Sequence, residues 1–239
     1  MEKLLSGAKK LGLQLEQKQL EQFDVYYQEL LYWNQRMNLT TITDYVEVQV
    51  KHFLDSFTLI LALKKPAAGD VTRVIDVGTG AGIPGLPLKI LLPGISLTLL
   101  DATAKKTSFL HHIKDKLGLA DVEIIAGRAE EVAHQNKYRE RFDIVLSRGV
   151  APLSVLTELT LPFCIIGGSL ISQKKGQLEE EINQAGKAIT LLGGKLKAVK
   201  MVELEGLTDE RQLIVINKIS ATPTQFPRRS GIPAKRPLV

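Results

Sequence analysis

The chain has 239 residues, 44% of them hydrophobic, which is enough to bury the core of one α/β domain with a small extension. Its 31 Lys and Arg against 26 Asp and Glu give a formal charge of +5, which permits an anionic partner without requiring one. The single cysteine, Cys164, excludes an internal disulfide, and no stretch approaches the ~20 apolar residues of a membrane span or forms a secretory signal. We therefore expect a soluble, cytoplasmic protein without a membrane or metal partner. We expect a monomer, although the sequence leaves the oligomeric state open.

Residues 1 to 64 show no strand pattern and are expected to form a helical extension. Apolar positions there recur at the i, i+3, i+4, i+7 spacing of an amphipathic helix. The residues that follow this spacing are Leu20, Phe23, Tyr27, Leu30 and Leu31, with the polar Asn34 continuing the series.

From residue 71 the pattern changes to seven short, apolar, β-rich runs separated by segments of helical length. The runs are VTRVIDV, SLTLLD, VEIIAG, FDIVLS, GGSLISQK, KAVKMVEL and RQLIVINK. Alternation of strand and helix predicts a doubly wound, mostly parallel, Rossmann-like sheet over residues 65–220. Only EGLTDER separates the last two runs, too little for a crossover helix, so that pair is expected to be antiparallel. We expect about five parallel strands with one reversed at the edge.

Residues 221–239 contain four of the ten prolines and no acidic residue. Their cations, Arg228, Arg229, Lys235 and Arg236, carry +4 of the net +5. Because this segment lacks a core pattern, we expect a mobile basic arm that contacts an anionic partner.

The first strand leads into a glycine-rich turn, Asp76 to Gly82. Such a turn between a parallel strand and a helix lets the backbone approach a ligand at the carboxyl edge of the sheet. Gly80, Gly82 and Gly85 also match a dinucleotide fingerprint, which by itself is a weak signal. Asp76, two positions before Gly78, could reach an ammonium group that dinucleotides lack, and no residue pair for hydride transfer is evident. The pattern favours S-adenosylmethionine and the class I methyltransferase fold.

Two further strand ends fit an adenosine ligand. Asp101 closes the second strand, where a carboxylate can accept both ribose hydroxyls. Ala129 and Glu130 follow the third strand, where their amide and carboxylate could bind adenine. A solvated helix start remains the alternative for Glu130.

The loop after the fourth strand, SRGVAP (147–152), faces the expected position of the donor methyl. It lacks the [DNS]-P-P-[YFW] motif of amino-nitrogen methyltransferases. Cys164 lies in an apolar run with nothing to activate its thiol, which argues against methylation of pyrimidine carbon 5. Guanine N7 carries an in-plane lone pair and no proton, so it is an acceptor that needs positioning and no general base.

Several motifs in order resemble one family. They are WNQRMNLT (33–40), HFLDS (52–56), DVGTGAGIPGLPL, GRAE, SRGVAPL, Lys174-Lys175-Gly176 and PRRSGIPAKRPL. From about residue 20 onward the chain resembles the glucose-inhibited division protein B family, which are bacterial 16S rRNA guanine-N7 methyltransferases. Gly149 after Arg148 is a small departure, since alanine is commoner there.

The resemblance implies a 16S rRNA or small-subunit substrate and a role of Arg148 at the reactive end, as the candidate catalytic residue. It also makes RNA the expected partner of the basic arm. The implied pocket for S-adenosylmethionine is lined by Gly78, Ile83, Asp101, Ala102, Thr103, Ala129, Glu130 and Arg148.

Two alternatives stay open. One is a class I methyltransferase acting on a protein or small molecule, and the other is an RNA-binding or division-associated protein with a vestigial fold. The sequence also leaves open whether naked RNA, an assembly intermediate or the complete subunit is recognised. His52 is either a core or capping histidine or a residue of the acceptor end.

Overall fold

A computed structural model describes residues 1–63, 71–204 and 210–239. Its strands are β1 (Arg73–Val77), β2 (Ser96–Asp101), β3 (Val122–Ala126), β4 (Phe142–Arg148), β5 (Cys164–Lys175), β6 (Gly194–Val202) and β7 (Arg211–Lys218). They form one sheet in the order β3-β2-β1-β4-β5-β7-β6. The first five strands are parallel, while β7 runs antiparallel to both β5 and β6. The predicted doubly wound, mostly parallel sheet is confirmed, and so is its antiparallel last pair. The reversed strand lies one position in from the edge, however, because β6 returns to the outside.

Helices cover both faces of the sheet, which explains why its strands are apolar. They are α1 (Glu2–Lys10), α2 (Gln17–Met37), α3 (Tyr45–Val48), α4 (Asp55–Phe57), α5 (Gly85–Leu91), α6 (Ala104–Lys116), α7 (Ala129–Val132), α8 (Leu153–Thr160), α9 (Glu179–Leu191) and α10 (Ile232–Lys235). A π-helical turn, Gln49–Leu54, joins α3 to α4, and 3₁₀ turns span Thr58–Leu61 and Leu161–Phe163.

Helix α2 packs the N-terminal residues against α5 and α6, the helices that cover one part of the sheet. It begins with a capping box, in which the Glu16 amide donates to Gln19 Oε1 at 2.9 Å. Its buried face is formed by Phe23, Tyr26 and Leu30. The predicted apolar face includes Tyr27, which is half-buried, and omits Tyr26, which is fully buried. At 3.6 residues per turn, the centre of a face formed by Phe23, Tyr26 and Leu30 lies closer to Tyr26 than to Tyr27.

The aromatic rings of α2 share one hydrophobic cluster with β1, β2 and α6. The ring centroid of Phe53 lies 4.8 Å from that of Phe23 and 5.3 Å from that of Tyr26. The helical extension is thus packed on the domain that follows it. The predicted boundary at residues 64 and 65 lies at the edge of the undescribed residues 64–70, and most of EGLTDER lies in the undescribed 205–209. In the part of the chain that is described, no helix is long and apolar enough to cross a membrane.

The C-terminal segment (residues 219–239) does not form the expected mobile arm. Phe226 is buried, and the guanidinium of Arg139 donates to the carbonyls of Phe226 and Thr222 at 2.8 and 2.9 Å. Arg228 makes a two-pronged pair with Glu158, with Nε to Oε1 at 2.9 Å and Nη2 to Oε2 at 2.6 Å. The side chains of Arg229, Lys235 and Arg236 are exposed.

A single buried carboxylate helps to explain why the C-terminal segment is packed against the domain. Glu158 on α8 is 0% exposed, and a charge removed from water requires a partner. Arg228 supplies it, so one of the four cations that the sequence assigns to RNA is engaged within the protein. Spacing along the chain does not reveal that partner, which is 70 residues away.

Replacement of Arg228 tests this packing. We expect Arg228→Ala to lower the free energy of unfolding by about 3 kcal/mol, because the buried Glu158 loses its cation and keeps only the hydrogen bond from the backbone amide of residue 228. The exposed neighbour provides the control, since Arg229→Ala should change stability by no more than about 0.5 kcal/mol. Urea unfolding of both variants gives the comparison. Equal stabilities would contradict the role assigned to this pair.

Candidate functional site

The glycine turn after β1 is held by Asp76. Its Oδ2 accepts hydrogen bonds from Thr79 Oγ1 at 2.6 Å and from the Gly85 amide at 2.9 Å. Asp76 is fully buried, and this burial raises the pKa of its carboxyl from 3.8 to about 6. Its observed partners lie in the turn and at the first residue of α5, so Asp76 organises the backbone around the site.

The three glycines of the turn all have left-handed backbones, with φ of 72° at Gly78, 59° at Gly80 and 86° at Gly82. A Cβ on Gly78 would lie 2.5 Å from Val150 Cγ2, and one on Gly82 would lie 2.4 Å from Leu86 Cδ1. A Cβ on Gly80 would meet no heavy atom within 4 Å. Protein packing therefore requires glycine at 78 and 82, whereas Gly80 borders open space.

Asp101 meets the turn at this open position. Its Oδ2 accepts from the Gly80 amide at 2.9 Å and its Oδ1 from the Thr103 amide at 2.8 Å. A carboxylate offers about four acceptor positions, so both oxygens retain capacity for a ligand. Ala102 is exposed beside it and Ile83 is buried beneath the turn.

The third strand end is closed by the C-terminal segment. Ala129 begins α7, and Glu130 follows it with its side chain buried. Glu130 Oε1 accepts from the Gly231 amide at 2.9 Å. The residues that the sequence assigns to adenine therefore also contact residues 219–239.

Arg148 ends β4 and is held by the helical residues around the π-turn. Its Nη1 donates to Asp55 Oδ2 at 2.9 Å and to the Lys51 carbonyl at 3.1 Å, and its Nη2 lies 3.2 Å from His52 Nδ1. The side chain is 17% exposed. This arrangement connects the acceptor loop to the motif HFLDS.

The contacts of His52 define its tautomer. Arginine only donates, so Nδ1 accepts from Arg148 and the ring proton lies on Nε2, 2.8 Å from Thr40 Oγ1. The 3.2 Å approach of Nδ1 to the Lys51 carbonyl is then a contact without a hydrogen. Burial, together with the charge of Arg148, lowers the pKa of His52 from 6.5 to about 3, so the ring is neutral near pH 7.

Two residues that support this site, Tyr26 and Gln173, carry no recognisable signal along the chain. Tyr26 donates to the Ala81 carbonyl at 2.5 Å and so supports the glycine turn from α2. Asp55 is 1% exposed, and its backbone carbonyl accepts from Gln173 Nε2 of β5 at 2.7 Å. The HFLDS motif identifies Asp55 only as part of a resemblance, because its partners lie on distant strands.

The structure therefore places Gly80, Asp101 and Arg148 at the same, carboxyl edge of the sheet. Arg229, Lys235 and Arg236 lie on the exterior of the segment that reaches Glu130. Among the described residues, no group of three His, Cys, Asp or Glu is arranged to hold a metal ion.

Comparisons with known proteins identify the family of the chain. A family model described as rRNA small subunit methyltransferase G matches residues 19–214. The ribosomal RNA small subunit methyltransferase G of Dehalococcoides mccartyi (strain ATCC BAA-2100) is 54% identical over 239 residues, which is 100% of both chains. The protein of the same name from Alkaliphilus metalliredigens is 45% identical and covers 98% of this chain and 97% of its own.

Solved structures support the fold alone. TrmN from Thermus thermophilus matches with a TM-score of 0.52 at 20% identity, over 70% of this chain and 48% of its own. A mutant form of MtNAS matches with a TM-score of 0.54 at 11% identity, over 85% of this chain and 75% of its own. The family model and the full-length relatives carry the assignment: the chain belongs to the rRNA small subunit methyltransferase G family.

Proposed function

We propose that this chain transfers the methyl group of S-adenosylmethionine to N7 of a guanine in bacterial 16S ribosomal RNA. The observation that carries the proposal is that the bonded pair Gly80 and Asp101 lies at the same edge of the sheet as Arg148, which ends β4, in a member of this family. The relatives are named for small-subunit ribosomal RNA, which supports this RNA as the substrate.

The chemistry of the sheet edge fits S-adenosylmethionine. Gly80 leaves the space that a Cβ would fill, and Asp101 beside it can accept from ribose hydroxyls. Ala129 and Glu130 would bind the adenine, and the guanidinium of Arg148 would bind an anionic oxygen such as the methionine carboxylate. When bound, the cofactor supplies an electrophilic methyl group on its sulfonium.

Arg148's surroundings favour an acceptor atom without a proton. The His52 ring uses Nδ1 as the acceptor for Arg148 and carries its proton on Nε2, so it has no lone pair left to act as a base. Asp55 is engaged with Arg148. Guanine N7 needs no deprotonation, so positioning and electrostatic stabilisation suffice for its methylation.

Product analysis tests the proposed activity. With S-adenosylmethionine and small-subunit RNA, we expect nucleoside mass spectrometry to detect 7-methylguanosine. Arg148→Ala should lower kcat/KM at least about tenfold, which corresponds to about 1.4 kcal/mol of transition-state stabilisation. Arg141→Ala serves as the control, because this exposed residue precedes β4 at the opposite edge of the sheet. A methylated protein, or a different modified nucleoside, would overturn the substrate assignment.

A pair of glycine variants tests the cofactor site. Gly80 and Gly118 have φ of 59° and 61°, and neither would bring a Cβ within 4 Å of a heavy atom. We therefore expect Gly80→Ala and Gly118→Ala to lose similar stability, about 1 to 2 kcal/mol each, from the left-handed backbone. Only Gly80→Ala should weaken binding of labelled S-adenosylmethionine, by tenfold or more as a rough figure. Unchanged affinity in folded Gly80→Ala would place the cofactor elsewhere.

The exposed cations of the C-terminal segment test the RNA contact. We propose that Arg229, Lys235 and Arg236 bind phosphates, while Arg228 stays paired with Glu158. The triple alanine variant should weaken RNA binding and lower the salt slope by about 2 to 3 units, because each phosphate contact releases counterions. RNA affinity at several salt concentrations provides the measurement.

A charge-matched variant controls for the loss of net charge. It replaces three exposed lysines of the edge strand β6, namely Lys195, Lys197 and Lys200. This variant should keep the wild-type salt slope. If the two triple variants behave alike, the C-terminal segment acts only through net charge.

A further inference from the structure

The guanidinium of Arg148 has donors to spare after it binds the protein. Its Nη1 has two protein acceptors and its Nη2 has one, the ring of His52. The Nε–H and the second Nη2–H have no acceptor within the described residues. Because the guanidinium is planar, the protein contacts of Nη1 and Nη2 also fix the direction in which its remaining N–H groups point.

Asp55 is suited to hold that direction because it is itself immobilised. Its carboxylate is buried, bonded to Arg148, and 3.5 Å from Nη1 of Arg211 at the start of β7. Its backbone carbonyl accepts from Gln173 of β5 and from Thr58 Oγ1. One carboxylate thus cross-links the ends of β4 and β7, and its own main chain is attached to β5.

His52 adds a second constraint through its tautomer. Thr40 Oγ1 accepts a hydrogen bond from Nε2–H, and this keeps the lone pair of Nδ1 directed at Arg148. Thr40 itself accepts from the Ile42 amide at 3.0 Å, which orients its hydroxyl. Residues 33–40 and 52–56, the two N-terminal motifs, therefore converge on a single guanidinium.

The π-helical turn at Gln49–Leu54 carries His52 and leads directly into Asp55. Turns with this wider hydrogen-bond spacing are rare and are found frequently at functional sites. Here the turn places a histidine and a carboxylate against the same arginine.

We propose that Asp55 and His52 are positioning residues that orient Arg148 toward the cofactor and acceptor, which makes the N-terminal helices part of the catalytic unit. The inference rests on the proposed function for the identity of the ligand of Arg148. The orientation of its guanidinium can be measured without any ligand.

A double-mutant cycle tests the proposal through cofactor binding alone. The variants are Asp55→Asn, Arg148→Ala and the combination, each measured by equilibrium binding of labelled S-adenosylmethionine without RNA. We expect Asp55→Asn to raise Kd about tenfold in the Arg148 background and to have no further effect in the Arg148→Ala background. Additive losses would mean that Asp55 acts through the fold, and would overturn the proposal.

Nuclear magnetic resonance of the ligand-free protein gives an independent result. Restricted rotation of the Arg148 guanidinium should give separate Nη signals in the wild type, and these should merge in Asp55→Asn. Equal restriction in both proteins would overturn the proposal even if the cofactor does not bind. If Asp55 and Arg148 are coupled in the double-mutant cycle but the protein does not methylate 16S RNA, the proposed function is refuted and the positioning role of Asp55 is retained.

Ser56→Ala is the matched control, since Ser56 is buried beside Asp55 and its hydroxyl donates only to the His52 backbone carbonyl among the described residues. It should leave cofactor affinity and the Arg148 signals unchanged. If Asp55→Asn does not fold, His52→Phe replaces it in the cycle, because phenylalanine keeps a ring but removes the Nδ1 acceptor. The same coupling with Arg148→Ala is then expected, and its absence would overturn the proposal.

Discussion

The buried ion pair between Asp55 and Arg148 connects the two parts of this molecule. Removal of two charges from water is unfavourable unless each keeps a partner, so the helical segment and the end of β4 must remain together. Arg211 approaches the same carboxylate, and Gln173 binds the backbone behind it. Residues that are far apart along the chain, Asp55, Arg148 and Arg211, are consequently in contact at the carboxyl edge of the sheet.

The same principle operates in the glycine turn. Asp76 accepts hydrogen bonds from Thr79 in the turn and from Gly85 at the start of α5, and Asp101, at the end of the next strand, accepts from the Gly80 amide. Acidic residues that a motif assigns to a ligand therefore also shape the backbone that would receive it. A carboxylate can serve both purposes because it has more acceptor positions than these contacts use.

The C-terminal segment shows how a basic composition can mislead. Its prolines and cations are typical of an unattached arm, yet Glu158 binds Arg228 and Glu130 binds the Gly231 amide. Both carboxylates are buried, and each satisfies part of its hydrogen-bonding capacity with this segment. The segment thereby packs beside Ala129 and Glu130, and its cations Arg229, Lys235 and Arg236 remain exposed to solvent.

The amino-acid sequence alone determined the order of strands and helices, the antiparallel last pair and the positions of Gly80, Asp101 and Arg148 at strand ends. These features depend on local periodicity and on turn residues, which can be recognised from residues close together in the sequence. Tertiary structure decided which of Tyr26 and Tyr27 is buried, where β7 lies in the sheet, and that Asp55 and His52 hold Arg148. Those outcomes depend on desolvated partners separated by tens of residues, and a buried charge acquires its partner only when the fold brings the two together.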